Sequence, residues 1–90
     1  MKLFISGNDR NSRLALDSLQ QLCETNLKGA YSLDIIDVLQ DFENALKHNV
    51  LVAPTLIITS TQPHTIFIGS LQNPTSILEA LGLPKKENGQ

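Results

Sequence analysis

The stretch Val52-Ala53-Pro54-Thr55-Leu56 runs directly into Ile57-Ile58-Thr59 and constrains the chain more than any other. A proline at the mouth of a β-branched run cannot donate to a sheet ladder, so it marks the first residue of a strand or an edge. X-Pro bonds are the only peptide bonds that turn cis at modest cost. Ala53-Pro54 is expected to be cis, facing the loop that follows the first strand.

The remaining segments fall into place around that strand. Leu3 to Ser6 is a short apolar run ending at Gly7-Asn8-Asp9, residues that tolerate turns, and reads as strand then loop. Asn11 or Ser12 is the expected N-cap of a helix on which Ala15, Leu19, Leu22 and Asn26 recur at helical spacing beside Leu16 and Cys23. Lys28-Gly29 ends it. Leu14 stands about 100° from that stripe, so it is expected to be exposed. Tyr31 to Leu39 alternates, with Tyr31, Leu33 and Ile35 against Ser32 and Asp34, then becomes continuously apolar apart from Asp37, as a second strand that deepens along its length.

Asp41 to His48 fits a short helix with Phe42, Ala45 and Leu46 on one face and Asp41 at its start. The strand after Pro54 turns at Ser60 to Pro63 into an antiparallel partner, His64 to Ile68, closed by Gly69. Asn73-Pro74 starts a last helix with Ile77, Leu78 and Leu81 as its apolar face and Gly82 with Pro84 as its stop. The order βαβαββα predicts a thioredoxin-like α/β fold: a four-stranded mixed sheet with helices on both faces. Residues 1–83 form the single domain and residues 84–90 a disordered polar tail.

Composition removes whole classes of function. The net charge is -2 with no basic cluster in the folded part, so no nucleic-acid footprint exists. The N-terminal apolar run is too short for a signal peptide or membrane span, and the expectation is a cytoplasmic protein. A single cysteine and no Cys-x-x-Cys exclude a disulfide framework and a thiol-disulfide centre. Disulfide exchange needs an exposed thiolate, whereas Cys23 lies on the apolar side of its helix and reads as packing. His48 and His64 lack metal-ligand company and read as solvated. Asp37, inside an apolar strand, is expected to bond nearby backbone. A chain of 90 residues lies near the lower limit for a self-sufficient core, so association, as a dimer or tetramer, is expected.

Leu3-Phe4-Ile5-Ser6-Gly7-Asn8, then Asn11-Ser12, Ala15-Leu16, Gly29-Ala30-Tyr31-Ser32-Leu33, Ile36-Asp37-Val38-Leu39, Pro54-Thr55-Leu56 and Ile68-Gly69 with Leu71 resemble the KaiB family of circadian clock proteins, across residues 3 to 83. The resemblance implies a binding module, not an enzyme, with no cofactor. In that family a thioredoxin-like form docks on the ring-shaped KaiC ATPase, engages KaiA and displaces a clock histidine kinase; a second, tetrameric fold also exists. Carried onto this chain, it implies partner contacts by Asn8, Asn11, Leu14, Tyr31, Leu33 and Asp34, with Pro54 as the structural cis-proline. Asp34 replaces a usual lysine and Leu14 a usual arginine, changes that alter partner choice. Ala80 and Gly82 stand where members with a strong second fold often place a glycine and an acidic residue. Alanine in a helix is favoured over glycine by up to about 1 kcal/mol, so the thioredoxin-like form is expected to dominate. Two alternatives share the fold: a redox or glutathione-binding protein built on Pro54, and a stress or signalling paralogue bound to a different ATPase or kinase.

Overall fold

The structure, a computed structural model, describes residues 1–28 and 30–82. The expected tail at 84–90 lies outside the described residues. The elements are β1 (Lys2–Ile5), α1 (Arg10–Leu22, continued by a π-helical turn over Cys23–Leu27), β2 (Asp34–Asp37), α2 (Phe42–Lys47), β3 (Thr55–Ile58), β4 (Thr65–Ile68) and α3 (Pro74–Ala80). They form a four-stranded sheet in the order β2-β1-β3-β4. β1 runs parallel to β2 and antiparallel to β3, and β3 pairs antiparallel with β4. This is the thioredoxin-like arrangement, and the Ala53-Pro54 bond is cis, at the entrance to β3.

Strand alternation sends successive side chains to opposite faces, and the two faces are covered unequally. Leu3, Leu56 and Ile58 point to the side where Ala15, Leu19, Leu22 and Cys23 of α1 and Ile77 and Leu78 of α3 complete the larger core. Phe4, Ile36 and Ile57 point to the other side, where Ala45 of α2 is the buried helical contribution. Helices therefore lie on both faces, but one face is thinly roofed.

Several local expectations need correction. The N-cap of α1 is Asp9, whose carboxylate accepts from the Ser12 N–H at 3.3 Å, not Asn11 or Ser12. Ser12 is buried because its hydroxyl oxygen accepts the Ser6 N–H at 2.9 Å, tying helix to loop. Asn26 is exposed and caps the Leu22 carbonyl with its amide, so it does not extend the core stripe. The helix ends on Lys28, whose backbone takes the left-handed conformation and donates to the Cys23 carbonyl at 2.9 Å.

β2 is shorter than expected, and its burial falls on Ile36 while Ile35 is 44% exposed. Ile35 shares the α1 side with Leu3, but at the sheet edge α1 does not reach it. On α2 only Ala45 is buried; Phe42 and Leu46, expected beside it, are 64% and 55% exposed. A six-residue helix presents little more than one residue to the sheet.

Candidate partner interface

The loop after β1 is fixed from two sides. Gly7 adopts φ +54, and a Cβ there would come 3.1 Å from Leu39 Cδ1, so the turn favours glycine. One oxygen of Asp37, Oδ1, accepts the Gly7 N–H at 3.1 Å and the Leu39 N–H at 3.0 Å. Asp37 is thus the backbone-bonding carboxylate its sequence setting indicates. With the Ser6–Ser12 bond, it locks the loop between the end of β2 and the start of α1.

Beside this loop opens a cleft of about 340 Å³ lined by Ser6, Asp9, Val38, Phe42 and residues 50–53. Ala53, preceding the cis-proline, is part of its wall, and Pro54 itself is buried. Phe42, Leu51 and Val52 of the cleft wall are 64%, 90% and 51% exposed, and Leu39 and Leu46 of the same segment, outside the lining, are 72% and 55% exposed. Exposed apolar side chains concentrated in residues 39–52 make this segment a candidate site of association. Phe42 and Leu46 read as core from helical spacing alone. Their exposure depends on how little sheet α2 covers, which spacing does not report.

The six sequence-derived contact residues divide between the two ends of β1. Asn8 and Asn11 are exposed beside the cleft, in the loop and first turn of α1. Leu14, one turn further, is half-buried, not free, because Arg10, Arg13 and Asp17 crowd the same shallow depression. Tyr31, Leu33 and Asp34 lie at the opposite end, where Asp34 pairs with Lys2 in register and in charge, Nζ to Oδ2 3.1 Å. Tyr31 and Asp34 are exposed, whereas Leu33 packs partly against the larger core. The structure does not gather the six into one cluster.

Nothing at the cleft supplies a thiol. Cys23 is fully buried at the far end of α1, and burial pushes its thiol up, with Glu24 adding to the rise and the N-terminal ammonium opposing it. His48 is half-buried, not solvated: its Nδ1 lies 3.0 Å from the Asn44 carbonyl oxygen and its ring 5.5 Å from that of Phe4. His64 is exposed. Among the described residues no group of His, Cys, Asp and Glu could hold a metal ion, and no helix is long and apolar enough to cross a membrane.

The model of the KaiB domain matches residues 2–83. The chain belongs to the KaiB family. It is 38% identical over 87 residues to the circadian clock oscillator protein KaiB of Picosynechococcus sp., a match covering 97% of this chain and 84% of that one. The KaiB protein of Thermostichus vulcanus is 37% identical over 89 residues, covering 99% and 82%. That of Prochlorococcus marinus strain SARG is 36% identical over 83 residues, covering 92% and 71%. The KaiB relationship thus spans both halves of the sheet, including the cleft and the cis-proline strand.

Proposed function

We propose that this chain is a non-catalytic KaiB-type adaptor that docks on a KaiC-type ATPase ring and thereby modulates a clock or related signalling complex, reaching KaiA or a clock histidine kinase indirectly. The observation that carries this is the exposed apolar side chains Phe42, Leu51 and Val52 at the cleft, together with exposed Leu39 and Leu46 of the same segment, on a chain of this family whose reactive-loop position holds no thiol. Apolar side chains surrounded by a polar rim supply binding energy, and no bond need be made. Asn8 and Asn11 flank the cleft as polar contacts, and Leu14 lies one turn along α1 in its own shallow depression. Tyr31, Leu33 and Asp34 offer a second surface at the other end of β1, along the open edge of β2.

A second reading keeps the adaptor role and changes the partner. Asp34 stands where the family usually has lysine, and its carboxylate already engages Lys2. Reversing a charge on a complementary surface redirects partner choice, so a paralogue serving a different ATPase or kinase fits this position. Size-exclusion chromatography with mass detection separates the readings. Wild type and Asp34→Lys are mixed in turn with each KaiC-type ATPase of the source organism. Co-elution of wild type supports the clock adaptor. Binding only by Asp34→Lys supports the redirected paralogue, and binding by neither removes the KaiC-type partner. Turnover in an insulin-reduction or glutathione-transfer assay would instead revive the redox alternative.

A further inference from the structure

The cleft beside the β1–α1 loop has three unlike walls, and each calls for a different group on its occupant. The first is apolar: Val38, Phe42, Ala45 and Val50 meet there from the turn after β2, from α2 and from the segment that follows it. The second is open backbone. Residues 50–53 belong to no helix or strand, and the N–H groups of Leu51, Val52 and Ala53 meet no acceptor among the described residues. The segment is nevertheless held at both ends: the Val50 N–H donates to the Ala45 carbonyl at 2.9 Å, and the Thr55 hydroxyl to the Val52 carbonyl at 2.6 Å.

The third wall is acidic. Asp9 is the one charged residue lining the cleft. Its Oδ2 accepts the Ser12 N–H, while Oδ1 has no partner among the described residues and no cation pairs with the carboxylate. A phosphate, a nucleotide or another anion would therefore meet like charge with nothing to balance it. A simple cation would leave the apolar wall and the N–H groups unused. An extended peptide supplies all three complements: carbonyls for the N–H groups, an aliphatic side chain for the apolar wall, and a lysine or arginine for Asp9. A water's share of liquid volume is about 30 Å³, so a cleft of about 340 Å³ takes one side chain with its adjoining backbone and not a folded element.

We propose that this cleft captures a short extended peptide segment of a partner. An aliphatic side chain seats against Val38, Phe42, Ala45 and Val50, peptide carbonyls accept from the N–H groups of residues 51–53, and a neighbouring lysine or arginine meets Asp9. The inference rests on the reading that this side of the chain docks a partner, and adds what the partner inserts there. The loop that carries Asp9 is already fixed by the bonds from the Gly7 N–H to Asp37 and from the Ser6 N–H to Ser12, so capture orders little of it. Asp9 is exposed and its charge is screened by water, so it sets selectivity more than strength.

The test is a titration of the isotope-labelled chain with two blocked synthetic peptides, Ala-Leu-Lys-Ala and Ala-Leu-Glu-Ala, followed through the backbone amide resonances. The expected result is saturable shifts at Phe42, Leu51, Val52 and Ala53 with the lysine peptide. Its affinity should fall about fivefold in Asp9→Asn, and the glutamate peptide should bind wild type more weakly still. Asparagine caps a helix as well as aspartate does, so the variant keeps α1, and circular dichroism checks that it does. Amides that do not move at peptide on the order of ten millimolar, equal binding of the two peptides, or indifference to Asp9→Asn overturns the proposal. Co-elution of wild type with a KaiC-type ATPase after such a result leaves the docking reading standing without the inserted peptide. Peptide capture without co-elution removes the ATPase and keeps the cleft.

Discussion

The two faces of the sheet use the same kind of residue to opposite ends. On the α1/α3 side, Leu3, Leu19, Leu56, Ile58 and Ile77 are essentially without solvent contact, and Cys23 is sealed among them. On the α2 side, Phe4, Ile36, Ala45 and Ile57 form a small core, and the apolar side chains around it, from Leu39 to Val52, remain in water. Burial of apolar surface is the main stabilising term in a domain of this size, so leaving it exposed is a stability cost that the proposed docking would offset. The first face holds the fold; the second leaves apolar side chains exposed, as the proposed docking requires.

The comparison breaks most visibly at Leu19. Leu19→Ala opens a cavity in the dry core and is expected to destabilise by about 2 to 5 kcal/mol in chemical denaturation. A loss below that range would mean that the α1 face is looser than its burial indicates. Ser12→Ala strips the acceptor from the Ser6 N–H and should cost about 1 to 3 kcal/mol, since an unpaired part-buried donor carries its desolvation penalty. Valine in its place should be no better, as it also lacks the oxygen.

Cys23 sharpens the same contrast through pH. Its thiol is raised in the fold, so the native protein keeps the proton over a range where the unfolded chain has lost it. Stability tied to this group is complete below the ordinary thiol value of about 8.5 and falls as pH rises through the raised value. Denaturation midpoints should therefore decline on the alkaline side, and Cys23→Ala should remove that part of the slope. The smallest effect on stability belongs to the other face. Phe42→Ala should shift unfolding by no more than about 0.5 kcal/mol, as exposed positions do. The same change should weaken partner binding about tenfold or more if Phe42 anchors the lip.

What the sequence discloses follows the range of the forces involved. The cis-proline strand, the hairpin from Thr55 to Ile68, the burial of Cys23 and the backbone-bonding role of Asp37 are local or periodic features, and each is found where the residues place it. The sequence offers Asn11 or Ser12 as the N-cap, but Asp9 takes that place, while the Ser12 hydroxyl is engaged by the Ser6 N–H of the preceding loop. Ile35, Phe42 and Leu46 could not be placed by periodicity, because their exposure depends on how far a helix reaches across the sheet.

Hydrogen exchange with mass spectrometry, on this chain alone and saturated with a KaiC-type ATPase of its source, tests the division of faces most directly. Protection concentrated at Val38 to Ala53 and in the loop from Ser6 to Asn11 is the predicted result, with α3 unchanged. Protection confined to α1 and α3, with the lip around Phe42 exchanging as in the free chain, would contradict it.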